Sequence, residues 1–301
     1  MKQQLAELIR LASGASRRGY ATGIPRVSIV EGEVPEHALS AVYEPMVNLI
    51  LRGSKSLAIG PHRLAYDPAT YFVMTVDLPA VGVVRPASDG APYLSAALTL
   101  DPQLVAQIAS EALSLDHSPA GGFSVSTVTP ELLDAWLRML QLMQRPEEVA
   151  GLAPAYEREI VYRVLQGPQG WILRSLATAD AVPARVQCAI RWIRGNLAAP
   201  LRVEELAARA AMSPSAFHRH FKAVTAMSPL QFQKRIRLLQ ARTSLVAGAA
   251  SIASAAFDVG YESASQFSRE YARFFGWTPS ADRARLRKEA RRLRVEGTGP
   301  G

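Results

Sequence analysis

Two stretches decide the fold: SPSAFHRHFK at 213–222 and SASQFSREYA at 263–272. They carry the pattern Ser-x-Ser-x-Phe-x-Arg fifty residues apart, and Pro229 on the C-terminal side of the first is answered by Pro279 after the second. In each copy the leading serine, Ser213 or Ser263, can cap a helix by accepting a backbone N–H with its hydroxyl. Phe217 with Phe221, and Phe267 with Tyr271, then fall at i and i+4 on one face, which leaves Arg219 and Arg269 on the opposite side. Each stretch follows a short helix of small residues and a tight turn. The pair therefore reads as two helix-turn-helix units, the arrangement that lays a helix in the major groove of DNA.

Working outward, Val203 to Ala210 forms the helix before the first cap, Ala211-Met212 the turn, and Pro214 the first helical position, where its fixed φ is tolerated. Pro229 opens a helix of about nineteen residues with Phe232, Ile236, Leu239 and Leu245 on one stripe. At 1.5 Å per residue it is roughly 28 Å long. Recognition helices held a little over roughly 30 Å apart meet successive major grooves on one face of B-DNA. The second unit runs Ile252 to Asp258, a turn at Gly260, and a helix from Ser263 to Phe275. Upstream of the caps it needs one extra residue, so that Ala256 pairs with Ala207. Val186, Ile190 and Ile193 mark the first helix of this domain, which spans 184–290 after a linker at 179–183. A basic helix follows Pro279, and residues 291–301 are expected as a basic, disordered tail.

Charge is divided in the same way. Residues 1–180 hold 14 Lys/Arg against 18 Asp/Glu, net −4, and residues 181–301 hold 20 against 8, net +12. Positive charge concentrated where the paired helices lie is what phosphate binding requires, and it favours nucleic acid over a membrane surface. No stretch approaches the roughly twenty apolar residues of a spanning helix, and Glu7 and Arg10 interrupt any signal-peptide core in the first helix. The single cysteine, Cys188, excludes an internal disulfide and fits a reducing cytoplasm. It is expected as a small buried residue on a helix.

The N-terminal domain, 1–180, has a different texture. Short β-branched runs at 27–30, 46–51, 56–59, 71–76, 81–84 and 93–98 are broken by turn dipeptides such as Gly53-Ser54, Gly60-Pro61 and Asp89-Gly90. Strands so short and close predict a sandwich or small barrel. From Asp101 the periodicity turns helical, with helices at Leu132–Met143, Tyr156–Leu165 and Trp171–Ala177 that would cover the sheet or form a dimer surface. The fold class is α+β in two domains.

Residues 187–290 resemble the AraC/XylS family of bacterial transcription regulators. The match is carried by Leu206-Ala207, Met212-Ser213, Phe221-Lys222, Ser228-Pro229, Arg237 with Ala241, Val259-Gly260-Tyr261 through Phe267-Ser268-Arg269, Phe275-Gly276 and Thr278-Pro279. Tyr43-Glu44-Pro45, Arg52-Gly53-Ser54-Lys55 and Asp77-Leu78-Pro79 resemble the N-terminal domain of one branch of that family, which implies a cupin-like barrel used as a regulatory module. Two positions depart from the family pattern: Ala226 stands where glycine is usual, and Ala255 where Ile or Val is common. The resemblance places the base-reading positions at Ser215, His218 and Arg219, with Lys222 on the same outer surface, and at Ala264, Ser265, Ser268 and Arg269 in the second unit. Arg219 can grip a guanine edge with two hydrogen bonds, whereas the short side chains of the second helix offer little discrimination.

The expected function is a sequence-specific regulator of transcription that binds double-stranded DNA and whose N-terminal barrel senses a small-molecule effector. RNA polymerase and a second copy of the chain are further candidate partners. Catalysis and cofactors are not needed. A second reading, a cupin-type metal-dependent enzyme fused to a DNA-targeting domain, is weakened because His218 and His220 diverge on a helix and His37, His62 and His117 are far apart in sequence. A third is a dimeric DNA-binding protein whose barrel takes no ligand. Tyr43, Asn48, Arg52 and Tyr71 are polar residues of the barrel to follow.

Overall fold

The computed structural model describes the chain apart from residues 17–21, 33–38, 69, 112–120, 175–181, 249–250 and 297–301. His37, His117, most of the expected linker, the end of the Trp171–Ala177 helix and the last five tail residues thus lie outside the described residues.

The N-terminal domain opens with α1 (Lys2–Ser16) and continues through β1 (Val27–Glu31), β2 (Ser40–Tyr43), β3 (Met46–Arg52), β4 (Ser54–Ile59), β5 (His62–Tyr66), β6 (Thr70–Met74), β7 (Leu78–Arg85) and β8 (Leu94–Thr99). Then come α2 (Pro102–Glu111), β9 (Phe123–Thr127), α3 (Pro130–Gln141), α4 (Val149–Gln166) and α5 (Gly170–Arg174). Strands β2, β5 and β9 are additions to the runs expected from sequence. The strands form two antiparallel sheets, in the orders β1-β8-β3-β6-β9 and β2-β7-β4-β5. The barrel expected from the family resemblance is therefore an open pair of sheets. Each ladder ends at its own edge strands, β1 and β9 in one sheet and β2 and β5 in the other.

Strand β3, at the centre of the larger sheet, is buried on both faces. Val47, Leu49 and Leu51 point to one side and pack with Leu8, Trp136, Leu140, Ile160 and Val161 of the helices. Ile50 points to the other side, between the sheets, with Leu57, Phe72, Met74 and Leu78. A strand buried on both faces reads as a continuous apolar run rather than an alternation.

The C-terminal domain comprises α6 (Val182–Gly195), α7 (Val203–Arg209), α8 (Pro214–Thr225), α9 (Pro229–Ala247), α10 (Ile252–Asp258), α11 (Ala264–Phe275) and α12 (Pro279–Glu296). The last helix reaches Glu296, so residues 291–296, expected in a disordered tail, are helical; Arg, Leu and Glu, which make up five of these six residues, are strong helix formers. Cys188 is exposed, not buried, because the inward stripe of α6 runs through Val186, Ala189, Ile190 and Ile193 and leaves position 188 outside it.

One apolar cluster joins the domains: inter-sheet residues such as Ile59, Phe72 and Leu78 are continuous with Val186, Phe217, Phe221 and Phe232 of the first helix-turn-helix unit. The buried Asp77 carboxylate accepts from Arg194 at 2.6 Å, and the Asp77 N–H donates to Gln187 at 3.1 Å. The second unit has its own core of Ala241, Leu245, Ala256, Phe267 and Tyr271.

Candidate nucleic-acid interface

Both recognition helices are fixed by the same local chemistry. Ser213 Oγ accepts the Ala216 N–H, and Ser263 Oγ accepts the Gln266 N–H, each at 3.3 Å. Phe217 and Phe221 are fully buried with ring centroids 5.4 Å apart, matched by Phe267 and Tyr271 at 5.3 Å. The preceding turns also correspond: the Met212 N–H donates to the Ala207 carbonyl at 2.9 Å, and the Tyr261 N–H to the Ala256 carbonyl at 3.0 Å. The extra residue before the second cap is thus real, with Ala207 and Ala256 in equivalent positions.

The units part company where the backbone turns left-handed. Ala211 (φ 50°) and Ala226 (φ 61°) occupy that region in the first unit, and Gly260 (φ 85°) and Gly276 (φ 78°) in the second. A left-handed alanine costs roughly 1–2 kcal/mol, and glycine adopts the conformation freely. The departure from the family pattern at Ala226 is accommodated without rearranging the turn.

Helix α9 sets the spacing. It begins with a capping box in which Ser228 and Gln231 exchange side-chain and backbone hydrogen bonds. Arg237 then donates to the carbonyls of Leu197 (2.7 Å), Ala199 (3.0 Å) and Gly260 (3.0 Å), tying the loop of the first unit to the turn of the second. At the far end Arg242 and Asp282, both buried, pair at 2.8 Å, and Tyr271 and Arg285 also donate to that carboxylate. Glu270 accepts from Lys234 and Tyr261, each at 2.8 Å.

Ser215, His218, Arg219 and Lys222 are all exposed along one side of α8. Ser215 Oγ lies 3.4 Å from Ser213 Oγ, and Arg219 reaches the His220 ring at 3.4 Å. Burial, then the cations of Arg219 and Arg185, holds the His220 pKa below its ordinary value. On α11, Ser265 and Arg269 are exposed and Ser268 is half-buried, so its hydroxyl is the least available of the expected contacts.

Sequence reading missed Arg235 and Arg273. With Lys222, Lys234 and Glu270 they line a cleft of about 500 Å³ between the two recognition helices, closed on one side by Gly60 and Pro61 of the β4–β5 turn. Glu270 is engaged by Lys234 and Tyr261, so the cleft carries excess positive charge, and burial together with Arg63 presses the Arg235 pKa down. Its signal in the sequence, Lys234-Arg235 on the long helix, is masked because α9 bears cations on several faces.

Among the polar residues to follow in the N-terminal domain, Arg52 is spent on Glu31 (2.8 Å) and the Pro92 carbonyl (2.6 Å). Tyr71 packs toward the helices. Tyr43 and Asn48 face the space between the sheets, where Lys55, not singled out from sequence, is also buried. Among the described residues no three His, Cys, Asp or Glu side chains gather where a metal ion could be held, and no helix is long and apolar enough to cross a membrane.

Comparisons with known proteins agree with this geometry. The model described as AraC-type transcriptional regulator N-terminus matches residues 23–172, and a helix-turn-helix domain model matches 206–285. Similar curated proteins are the HTH-type transcriptional activators RhaS of Escherichia fergusonii, 32% identical over 46% of this chain and 51% of the relative, and of Klebsiella pneumoniae, 31% identical over 32% and 34%. The chain spans about half the length, or less, of these relatives. ToxT from Vibrio cholerae O395 shares the two-domain fold at a TM-score of 0.54 and 10% identity, over 86% of this chain and 97% of that one. The matched helix-turn-helix domain and the matched regulatory domain place the chain in the AraC/XylS family of transcription regulators.

Proposed function

We propose that the chain is a cytoplasmic, sequence-specific transcription regulator, not an enzyme, in which α8 reads bases, α11 chiefly grips the backbone, and the N-terminal domain couples a small-molecule effector to DNA binding. The observation that carries this reading is the pair of serine-capped helices with aromatic pairs turned inward and exposed cations, Arg219 and Arg269, turned outward. Lys222, Arg235 and Arg273 supply phosphate contacts between the two helices. Coupling is supported by the shared core and by close approach of the β4–β5 turn to the recognition helix: a Cβ on Gly60 would lie 2.6 Å from the Ala226 carbonyl oxygen. Movement of the sheets would therefore be felt at the C-terminal end of α8.

Selection of bound fragments from the parent genome tests the reading. A recurring motif with two half-elements about one helical turn apart is expected, with affinity falling roughly 10³- to 10⁵-fold between about 50 and 200 mM salt if about six to ten phosphates are contacted. Enrichment of no sequence at all would sink it.

A further inference from the structure

The outer face of the smaller sheet turns a cation toward the DNA-binding domain. Arg63, on β5, stands opposite Ala58 of β4 and shares the outward phase of Ser56 and Ala58, whereas Leu57 and Ile59 point inward. With Val81 and Val83 of β7 these outward residues wall a hollow of about 490 Å³. Its other wall is Arg235 of α9 with Arg273 and Phe274 of α11. The hollow adjoins the cleft between the recognition helices, and the two share Gly60, Arg235, Arg273 and Phe274.

Arginines from both domains thus meet across one space. Arg235 is half-buried, its guanidinium carbon 5.5 Å from the centre of the Phe274 ring, and Arg63 is near enough to add to burial in lowering its pKa. Among the described residues no acidic side chain lines the hollow and none pairs with Arg63, Arg235 or Arg273. Glu270, in the adjoining cleft, is already held by Lys234 and Tyr261. Like charges gathered without a counter-ion repel, and half-burial sharpens the repulsion. A segment seated there to block DNA would offset the cations with acids. The β4–β5 turn, Gly60-Pro61-His62-Arg63, has none and adds a cation of its own. Such an arrangement suits an anion supplied from outside the chain.

We propose that the N-terminal domain itself touches DNA: Arg63 completes, with Arg235 and Arg273, a phosphate-binding site for the stretch of DNA backbone that lies between α8 and α11. The site rests on the DNA-binding reading above and extends its contacts to the other domain. Guanidinium groups suit the task, because each can give a phosphate two parallel N–H bonds. Since Arg63 rides on the β4–β5 hairpin, the grip on DNA depends on where the sheets hold that hairpin. This is a second route from the N-terminal domain to DNA, beside the shared core.

The test compares the whole chain with Arg63→Gln, Arg235→Gln and a control, Arg85→Gln. Arg85 is exposed at the opposite end of the same sheet, in register with Ser54 at the start of β4. Affinity for a selected duplex and for an unrelated one is measured between about 50 and 200 mM salt. Arg63→Gln and Arg235→Gln should each weaken both duplexes alike and reduce the salt slope by about one, a loss about fourfold larger at the lower salt. Arg85→Gln should leave the slope unchanged. An unchanged slope for Arg63→Gln overturns the proposal, and so does a gain in affinity, which would make the hairpin an obstruction. A second arm compares Tm without DNA in inorganic phosphate and in chloride at equal ionic strength. A phosphate-dependent rise that Arg63→Gln abolishes, beside an unchanged DNA slope, would assign the hollow to a free anion and also overturn the proposal. A wild type that binds no duplex takes the DNA-binding reading and the site down together. A wild type that binds while Arg63→Gln matches it removes the site alone.

Discussion

The two helix-turn-helix units share a scaffold and differ in how it is held and in what it shows to solvent. The first is fused to the regulatory domain through one continuous core, and it tolerates left-handed alanines at both turn positions. The second has a separate core, glycines at those positions, and two networks centred on acids, Asp282 and Glu270. Its outer surface carries the shorter side chains. A duplicated fold can thus diverge in two independent ways, since the inward positions keep the helix and the outward ones set what it reads.

The largest expected effect is in the second unit. Asp282→Ala removes one partner of a buried ion pair and should cost about 3–5 kcal/mol there. Hydrogen exchange would read this as lost protection in α10 to α12, and equal loss in α8 would show that the units do not fold as separately as their cores suggest.

A reciprocal pair of substitutions tests the backbone difference. Ala226→Gly should stabilise the first unit and Gly276→Ala destabilise the second, each by about 1 kcal/mol. No heavy atom beyond its chain neighbours lies within 4 Å of a Cβ added at Gly276, so backbone strain alone acts there. Chemical denaturation measures both, and matching signs would refute the assignment.

Smaller effects come with pH. Burial raises the pKa values of Asp282 and Glu270, but Arg242 and Arg285 with Tyr271, and Lys234 with Tyr261, outweigh it and leave both below the ordinary carboxylate value. Their stabilisation is complete above the unfolded pKa values of roughly 4 and is lost as pH falls through the folded ones. In the first unit the depressed His220 imidazole favours the fold above its unfolded pKa of roughly 6.5 and loses that contribution as pH falls below it. Exchange protection along an acid titration should therefore weaken slightly in α8 first and in α11 and α12 later.

The C-terminal domain was legible because its signals are local: serine caps, i and i+4 aromatics, and prolines at helix starts lie within a few residues of one another. Helix α9, Pro229–Ala247, matches its expected start and length. The sheets were less legible. Strand β2 is four residues long, β5 has three of its five positions exposed, and β9 follows a helix in a region whose periodicity had already turned helical. Lys55 was hidden for the opposite reason. Its residue type suggests a surface, and only its phase with Leu57 and Ile59 puts it inside. The cleft cations Arg235 and Arg273 depend on bringing α9 beside α11, which no single stretch encodes.

The division of labour between the units is tested most directly by selecting randomised duplexes with the wild type, Arg219→Ala and Arg269→Ala and measuring affinity against salt. Arg219→Ala should erase the preference at one base position and cost about 1–3 kcal/mol on the preferred site. Arg269→Ala should lower affinity evenly across sequences and reduce the salt slope by about one. A uniform loss for Arg219→Ala, or a base preference erased by Arg269→Ala, would contradict one reader and one clamp.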